Sequence, residues 1–550
     1  MDAKLPGIVV TGASGFVGRY FLEAAVGKFR LFCLARRSQK EAGIPLDDNI
    51  RWTQVDIARW ETMREVVDCI KDHGGADYVL HLAGYYDFSN TENPEYERTN
   101  VKGTKNVSKL AQLIGTKRFL FASSLAASDF TVPGTILNED SPLDATFPYA
   151  ISKLKGEEMM KQYSEWFPVS IIRFAAVFSD WCEYPPLYMF IKTWLSRGWN
   201  AKILGGRGES AITYIHARDL NKIFFRIIEL SKKLPRVDTY IASPNGCVTH
   251  KELFTTITRY FFGRDIKPIK IPKFIAAPGV MLRQVLGKII KNPPFERLWM
   301  MKYVDKKLTV DATTTFQKLD WEPTPRLTVL RRSLFMLEKM KSHRDAWNLR
   351  NEAALLRVAQ RPNLLIHDIM VELREESIEK IIAKILLPEN KSCFLNYQAM
   401  DEKLIKWHIT LIYQLITTGV RTRDRMLLRN YAQIISYRRF IEGYKVDEVA
   451  SCMLSIGEVI SDALKEHPEM KNMEQRIYDY ITMTFQLAVD EIEDSFERIA
   501  TQSPDVISAV DKASILSSSK DLERVVQELE DICQDKPIDA QLISTDSETK

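Results

Sequence analysis

Tyr149 and Lys153 stand four residues apart in Tyr149-Ala150-Ile151-Ser152-Lys153, with Ser124 twenty-five residues before the tyrosine. A free phenol, with a pKa of about 10, is a poor proton donor or acceptor at neutral pH. An ammonium one helical turn away shares its face and favours the phenolate. Lowering the phenol's pKa by roughly 2–3 corresponds to about 3–4 kcal/mol. Ser124, just past the apolar run Arg118–Ser123, is placed to hydrogen-bond a substrate oxygen and steer it to the phenol. The same Tyr/Lys spacing also serves simple packing on amphipathic helices.

Upstream, Thr11-Gly12-Ala13-Ser14-Gly15-Phe16-Val17-Gly18 follows the apolar run Gly7–Thr11 and precedes an amphipathic stretch. Strand, glycine turn and helix are the minimum for gripping a pyrophosphate. Glycines let the backbone approach the phosphates, and the helix start offers unpaired N–H groups and a positive dipole end. The first glycine gap is one residue wider than in the dehydrogenase fingerprint, and a ligand-free tight turn would use the same glycines. After the second strand, where an acid would take a ribose 2′-hydroxyl, the chain reads Ala35-Arg36-Arg37. Two guanidiniums suit a 2′-phosphate, which favours NADP(H) over NAD(H); a solvated basic strand end is the alternative. Asp56, in Val55-Asp56-Ile57, ends the third strand and is placed to accept from an adenine amine. The dinucleotide contacts expected here are Thr11, Gly12, Ser14, Gly15, Phe16, Val17, Gly18, Arg36, Arg37, Asp56 and Ile57. Together the two halves predict hydride transfer to or from a dinucleotide, with Tyr149 handling the proton.

Such residues need a scaffold that gathers strand ends. Residues 1–335 alternate short apolar runs (Gly7–Thr11, Leu31–Ala35, Arg51–Asp56, Tyr78–Ala83, Arg118–Ser123, Val169–Phe174) with helical stretches such as Val17–Val26 and Asn100–Leu113. That is the pattern of a parallel sheet with crossover helices. The fold expected is α/β: a Rossmann-type doubly wound parallel sheet with a small substrate-binding part over about 175–335, then a separate all-α domain over 336–500. In the latter, periodicity near 3.6 makes apolar stripes at Ile378, Ile381, Ile382, Ile385 and Leu386 and at Val449, Cys452, Met453, Ile456 and Ile460. Pro388 is read as stopping one helix and Gly419 as capping another. Residues 501–550 read as a largely disordered tail with one helix, Lys520–Cys533.

Composition narrows the partners. The 550 residues carry a net charge of +4, too small at this length to predict nucleic-acid binding. Seven cysteines are scattered without CxxC or other metal-ligand spacing, which predicts free thiols, a reducing compartment and no metal site. No apolar run reaches the roughly 18–20 residues of a spanning helix. A cytoplasmic protein acting on a small-molecule substrate is expected.

Taken together, the motifs resemble the extended short-chain dehydrogenase/reductase superfamily, which includes the epimerase/dehydratase enzymes, over about residues 5–335. Gly12, Gly15 and Gly18 match its TGxxGxxG loop, and His81-Leu82-Ala83-Gly84 resembles its HxAA segment with Gly84 for the second alanine. Asn100-Val101-Lys102-Gly103-Thr104 matches NVxGT, Ser123-Ser124 the serine pair, and Tyr149 with Lys153 the YxxxK motif. Tyr214–Leu220 and Leu319-Asp320-Trp321-Glu322-Pro323 resemble two later segments. The resemblance implies a nicotinamide cofactor over the strand ends, touched by Leu82, Ala83, Gly84, Tyr149 and Lys153. It also implies that Asn100 organises the catalytic Ser124, Tyr149 and Lys153, and that helices bearing Asn100 and Tyr149 form a homodimer. Two departures stand out. Phe174-Ala175 replaces Pro-Gly after Arg173, and Leu125-Ala126 replaces the acidic pair of dehydratases, which disfavours elimination of water.

Tyr85 and Tyr86, with Tyr184 in a second aromatic-rich segment, are expected either to line a pocket for a hydrophobic or ring-shaped substrate or to be core. Residues 267–302 form a basic amphipathic stretch, read as a helix packed on the substrate part or as a lipid-surface contact. His408 reads as a buried histidine, with haem ligation the alternative, and His367-Asp368 as a helix start. The helical domain is expected to regulate or to dock a protein partner. The leading function is an NADP(H)-dependent oxidoreductase that reduces a carbonyl or oxidises an alcohol. The alternatives are a nucleotide-sugar epimerase with retained NAD and a dinucleotide-sensing regulator.

Overall fold

The computed structural model describes residues 5–88, 90–289, 297–355, 362–471 and 473–501; the expected helix Lys520–Cys533 lies outside them. The chain divides into two compact units, Met1–Trp52 with Ile70–Ala359, and Thr53–Cys69 with Gln360–Lys550.

Seven strands form one parallel sheet: β1 (Gly7–Thr11), β2 (Arg30–Ala35), β3 (Ile50–Gln54), β4 (Tyr78–His81), β5 (Arg118–Ser124), β6 (Val169–Phe174) and β7 (Val237–Ala242). Their spatial order is β7-β6-β5-β4-β1-β2-β3. Strand order reverses beside β1, and in such sheets ligands bind beyond the carboxyl ends of the strands at that point. Register then aligns the exits. Thr11 pairs with His81, and His81 with Phe121, so β1 and β4 end at one level while β5 runs on to Ser124, paired with Phe174. Ile8, Val9, Val10, Val79, Leu80, Phe119 and Leu120 are fully buried, as strands covered on both faces must be. The seventh strand escapes sequence reading because Val237-Asp238-Thr239 is half polar; its apolar half, Tyr240-Ile241-Ala242, is fully buried.

The first unit's helices include α1 (Phe16–Ala25), α2 (Gly103–Leu113), α3 (Pro148–Tyr163), α4 (Ala217–Glu229) and α5 (Lys273–Ile289). Apolar stripes of α1 and α4 meet at Phe21 and Phe224, ring centroids 5.8 Å apart. Pro148 occupies the first position of α3, where its missing N–H costs nothing and its fixed φ starts the helix. Tyr149 therefore sits in the first turn. Asn100 lies within a π-helical turn, Tyr96–Lys102, that leads into α2; it does not start a regular helix.

The second unit contains α6 (Pro362–Glu372), α7 (Arg374–Leu386), α8 (Glu402–Thr422), α9 (Met426–Ile441), α10 (Val446–Glu466) and α11 (Met483–Thr501). The stripes expected on α7 and α10 enter one core, with Ile381, Ile385, Ile456 and Ile460 buried against Ile416 and Phe485. Helix α7 ends just before Pro388, but α8 continues through Gly419 and is capped by Arg423 at φ 62°. Gly419 serves close packing instead: a β-carbon there would lie 2.8 Å from the Asp424 carbonyl oxygen. Among the described residues no helix is long and apolar enough to cross a membrane, and no three acidic, cysteine or histidine side chains are grouped to hold a metal.

Candidate active site

The glycine turn is shaped by close approach. Gly12 has φ +69°, and a β-carbon on it would lie 2.8 Å from Ala83 N; one on Gly18 would collide with the Gly12 carbonyl. Gly15 precedes α1 with extended backbone and no side-chain cap. A helix start left this way offers its first amides to an anion. The turn thus fits a pyrophosphate, which Gly12, Ser14, Gly15, Phe16, Val17 and Gly18 could hold. Thr11 is spent internally: its hydroxyl meets His81 Nδ1 at 2.6 Å and accepts from Ala83 N at 3.3 Å. Gly12→Ala should cost about 1–3 kcal/mol through the positive φ and the collision with Ala83. A thermal melt unchanged from the parent would refute this account of the turn.

The residues expected to meet the adenosine half of a dinucleotide are Arg36, Arg37, Asp56 and Ile57. Arg37 donates to the Ser14 carbonyl, and Arg36 Nη1 lies 3.4 Å from Glu95 Oε2. Glu95 also accepts from Arg98 at 2.7 Å and from the Thr99 hydroxyl at 2.8 Å. A carboxylate invisible to local sequence reading therefore stands against one of the two guanidiniums. Asp56 lies two residues past the end of β3, is buried, and accepts from Ala58 N at 3.0 Å. Ile57 is buried beside it in sequence; both fall in the segment grouped with the second unit.

Ser124 is the last residue of β5, and its hydroxyl is hydrogen-bonded to that of Tyr149. Lys153 lies one turn along α3. Its Nζ donates to the Ala122 carbonyl at 2.8 Å and is 5.7 Å from the Tyr149 ring centroid. Asn100 ties the loop after β4 to α3. Its Oδ1 accepts from Tyr85 N at 2.6 Å, while Nδ2 donates to Tyr85 O at 3.0 Å and to Ser152 Oγ at 2.9 Å. A β-carbon on Gly84 would lie 3.5 Å from Lys153 Nζ and 3.7 Å from Asn100 Oδ1. Leu82 and Ala83 are half-buried between this group and the glycine turn in sequence. Gly12 abuts Ala83 and Gly84 abuts Lys153, so an unbroken line of neighbours joins the turn to the Ser124–Tyr149–Lys153 group.

Titration runs against the sequence expectation. Burial pushes Tyr149 up to about 12, against the hydrogen bond from Ser124 that favours the phenolate. Burial also brings Lys153 down to about 8, with the Glu157 carboxylate opposing. Loss of water outweighs the Ser124 hydrogen bond, and the nearby ammonium is turned to a carbonyl and not to the phenol. His81, clasped between Thr11 and Thr104 (2.9 Å), is held neutral by burial with a pKa of about 3.

Aromatic rings crowd the phenol. Tyr86 stacks on Tyr149 with centroids 4.4 Å apart, Phe88 lies 4.2 Å from Tyr86, and Tyr184 lies 6.3 Å from Phe88. Tyr85 is turned elsewhere, donating to Asp87 at 3.0 Å and accepting from Asn93 at 3.0 Å. Phe88, in the aromatic segment Tyr85–Phe88 expected to face the substrate, adopts φ 53°. One supporting residue was missed in the sequence. Glu157 accepts from Ser123 Oγ at 2.5 Å and pairs with buried Arg173 at 2.9 Å; an acid four residues after Lys153 was its only signal. In the second unit His367 pairs with Asp368 at 3.1 Å. His408 is buried, 3.2 Å from the Tyr431 hydroxyl, and burial holds it well below the usual histidine range. The cavity it lines has about 20 Å³ open to a water-sized molecule, far too little for haem.

Residues 8–241 match the profile of the NAD dependent epimerase/dehydratase family. The dTDP-glucose 4,6-dehydratase of Mycobacterium tuberculosis is 23% identical over 267 residues, 46% of this chain and 76% of that protein. The UDP-glucose 4-epimerase of Bacillus subtilis is 28% identical over 178 residues, 30% of this chain and 51% of that protein. Among solved structures, the UDP-glucose 4-epimerase of Thermotoga maritima aligns with TM-score 0.47 and 18% identity, over 61% of this chain and 100% of that one.

Proposed function

We propose, from the match of residues 8–241 to the NAD dependent epimerase/dehydratase family, that the first unit oxidises and re-reduces a carbinol carbon of a nucleotide-linked sugar, in the manner of an epimerase. The observation that carries this reading is the line of neighbours from the glycine turn through Ala83 and Gly84 to Lys153 and the Tyr149–Ser124 hydroxyl pair. A nicotinamide ring, when bound, supplies the hydride acceptor and donor. Tyr149 exchanges the proton of the substrate hydroxyl and Ser124 fixes that oxygen by hydrogen bonding, while Lys153, held on the Ala122 carbonyl, keeps its ammonium 5.7 Å from the phenol ring. The stacked ring of Tyr86 shields the phenol from water. Leu125, buried, and Ala126 offer no acid for eliminating water, so the dehydratase version of the chemistry is disfavoured.

Glu95 beside Arg36 lowers the attraction of this corner for a 2′-phosphate and supports NAD. A second reading, one-way carbonyl reduction with NADPH, is favoured by the Arg36-Arg37 pair and by the aromatic surroundings of Tyr149. The purified chain should keep NAD through dialysis and convert UDP-glucose to its 4-epimer without net NADH. A chain that releases its cofactor, prefers NADPH at least about tenfold, and loses that preference in Arg36→Asp with Arg37→Ala would overturn the epimerase and establish the reductase.

A further inference from the structure

We propose that one face of the first unit is a docking surface for an anionic lipid bilayer: the Trp199 loop, the paired strands Ile203–Gly205 and Ile269–Ile271, and the start of α5. Two distant segments are joined there by backbone. The strands are parallel, Ile269 N donates to the Lys202 carbonyl at 2.7 Å, and Gly206 N donates to the Ile271 carbonyl at 2.7 Å. On this scaffold Trp199 is 79% exposed, Phe274 77%, Ile269 56% and Ile275 54%. Single exposed apolar side chains are ordinary, but a run of them that includes a tryptophan and a phenylalanine marks a contact surface.

Charge identifies what the surface meets. Arg197, Lys202, Lys267, Lys270 and Lys273 are all exposed. No acidic residue occurs from Leu195 to Gly208 or from Ile266 to Met281. The acids that border the two segments are engaged: Asp265 by Arg259 at 2.5 Å, Glu209 by Lys307 at 2.8 Å, and Asp305 by the Arg207 backbone N–H at 2.9 Å. The sequence of α5 continues to Ile289 with Arg283 and Lys288 and no acid. Aromatic rings that enter the headgroup layer, surrounded by ammonium groups that reach lipid phosphates, describe a peripheral membrane contact. Tryptophan is the side chain most at home in that layer. A second copy of the chain fits this face poorly, because a two-fold interface would set these cations against themselves.

The test is cosedimentation of the full chain with vesicles of phosphatidylcholine, alone or mixed with phosphatidylglycerol. Binding to mixed vesicles is expected to be at least about tenfold tighter than to phosphatidylcholine alone, and to weaken with salt. Lys267→Glu with Lys270→Glu and Lys273→Glu should weaken it on the order of a hundredfold. Trp199→Ala with Phe274→Ala should weaken it about tenfold at an unchanged melting temperature, since both side chains are exposed. No binding to mixed vesicles, or binding indifferent to both sets of substitutions, would overturn the proposal. So would a dimer that Phe274→Ala dissociates in the absence of any vesicle binding, which would assign the face to a second copy. Because vesicle binding needs no substrate or cofactor, its outcome is independent of the epimerase assignment.

Discussion

Tyr149→Phe is expected to lower turnover by about 10²–10⁴-fold, the range for loss of a positioned acid–base group. The substitution removes one hydroxyl and its bond to Ser124 but keeps the ring stacked on Tyr86 at 4.4 Å. Stability should therefore change by no more than about 1 kcal/mol. Dinucleotide affinity should stay within about threefold, since the glycine turn is untouched and that corresponds to under 1 kcal/mol. Measuring rate, melting temperature and affinity on one preparation separates a chemical role from a packing role. A variant as fast as its parent would remove the phenol from the reaction.

The second large effect concerns Lys153. Lys153→Met should abolish most activity and yet raise stability at neutral pH. Burial takes the ammonium from its ordinary 10.5 to about 8, a desolvation penalty of about 3 kcal/mol. Losing the hydrogen bond to Ala122 returns about 1–2 kcal/mol of that, leaving a net gain of about 1–2 kcal/mol. The sign follows from proton linkage. Below pH about 8 the ammonium is charged in both folded and unfolded chains, and the penalty is fully present. Between about 8 and 10.5 only the unfolded chain keeps the extra proton, so the parent gains stability as pH rises. The advantage of the variant in denaturant midpoint should thus be largest at neutral pH and shrink towards pH 10.5. A destabilised variant at neutral pH would mean that Lys153 is a structural cation and not one held at a cost for chemistry.

Why the sequence foretold some of this and not the rest is a matter of range. β1, β5, β6 and the glycine turn were legible because their signals are local: continuous β-branched and aromatic runs buried on both sheet faces, and glycines spaced for a tight turn. Ser124, Tyr149 and Lys153 were legible for the same reason, since strand end and helix turn fix them within a few residues. Glu95 against Arg36 was not, because the pairing depends on how the loop after β4 folds back toward the end of β2. Tyr85 and Tyr86 are neighbours in sequence yet point to different partners, Asp87 and Tyr149, a choice made by the Asn100 clamp on the Tyr85 backbone. The pKa of Tyr149 reversed for a related cause: adjacency to Lys153 is written in the sequence, whereas the desolvation that outweighs it belongs to the packed site. Gly419 shows the limit of reading glycine as a helix stop, because here it makes room for the Asp424 carbonyl inside the last turn of α8.

The most direct test is calorimetric titration of the full chain, stripped of nucleotide, with NAD and with NADP. Saturable binding of one dinucleotide per chain, weakened by Gly12→Ala and retained in Tyr149→Phe, is the result predicted here. Absence of saturable heat with either dinucleotide would contradict the assignment of the glycine turn and, with it, the oxidoreductive chemistry of the Ser124–Tyr149–Lys153 group.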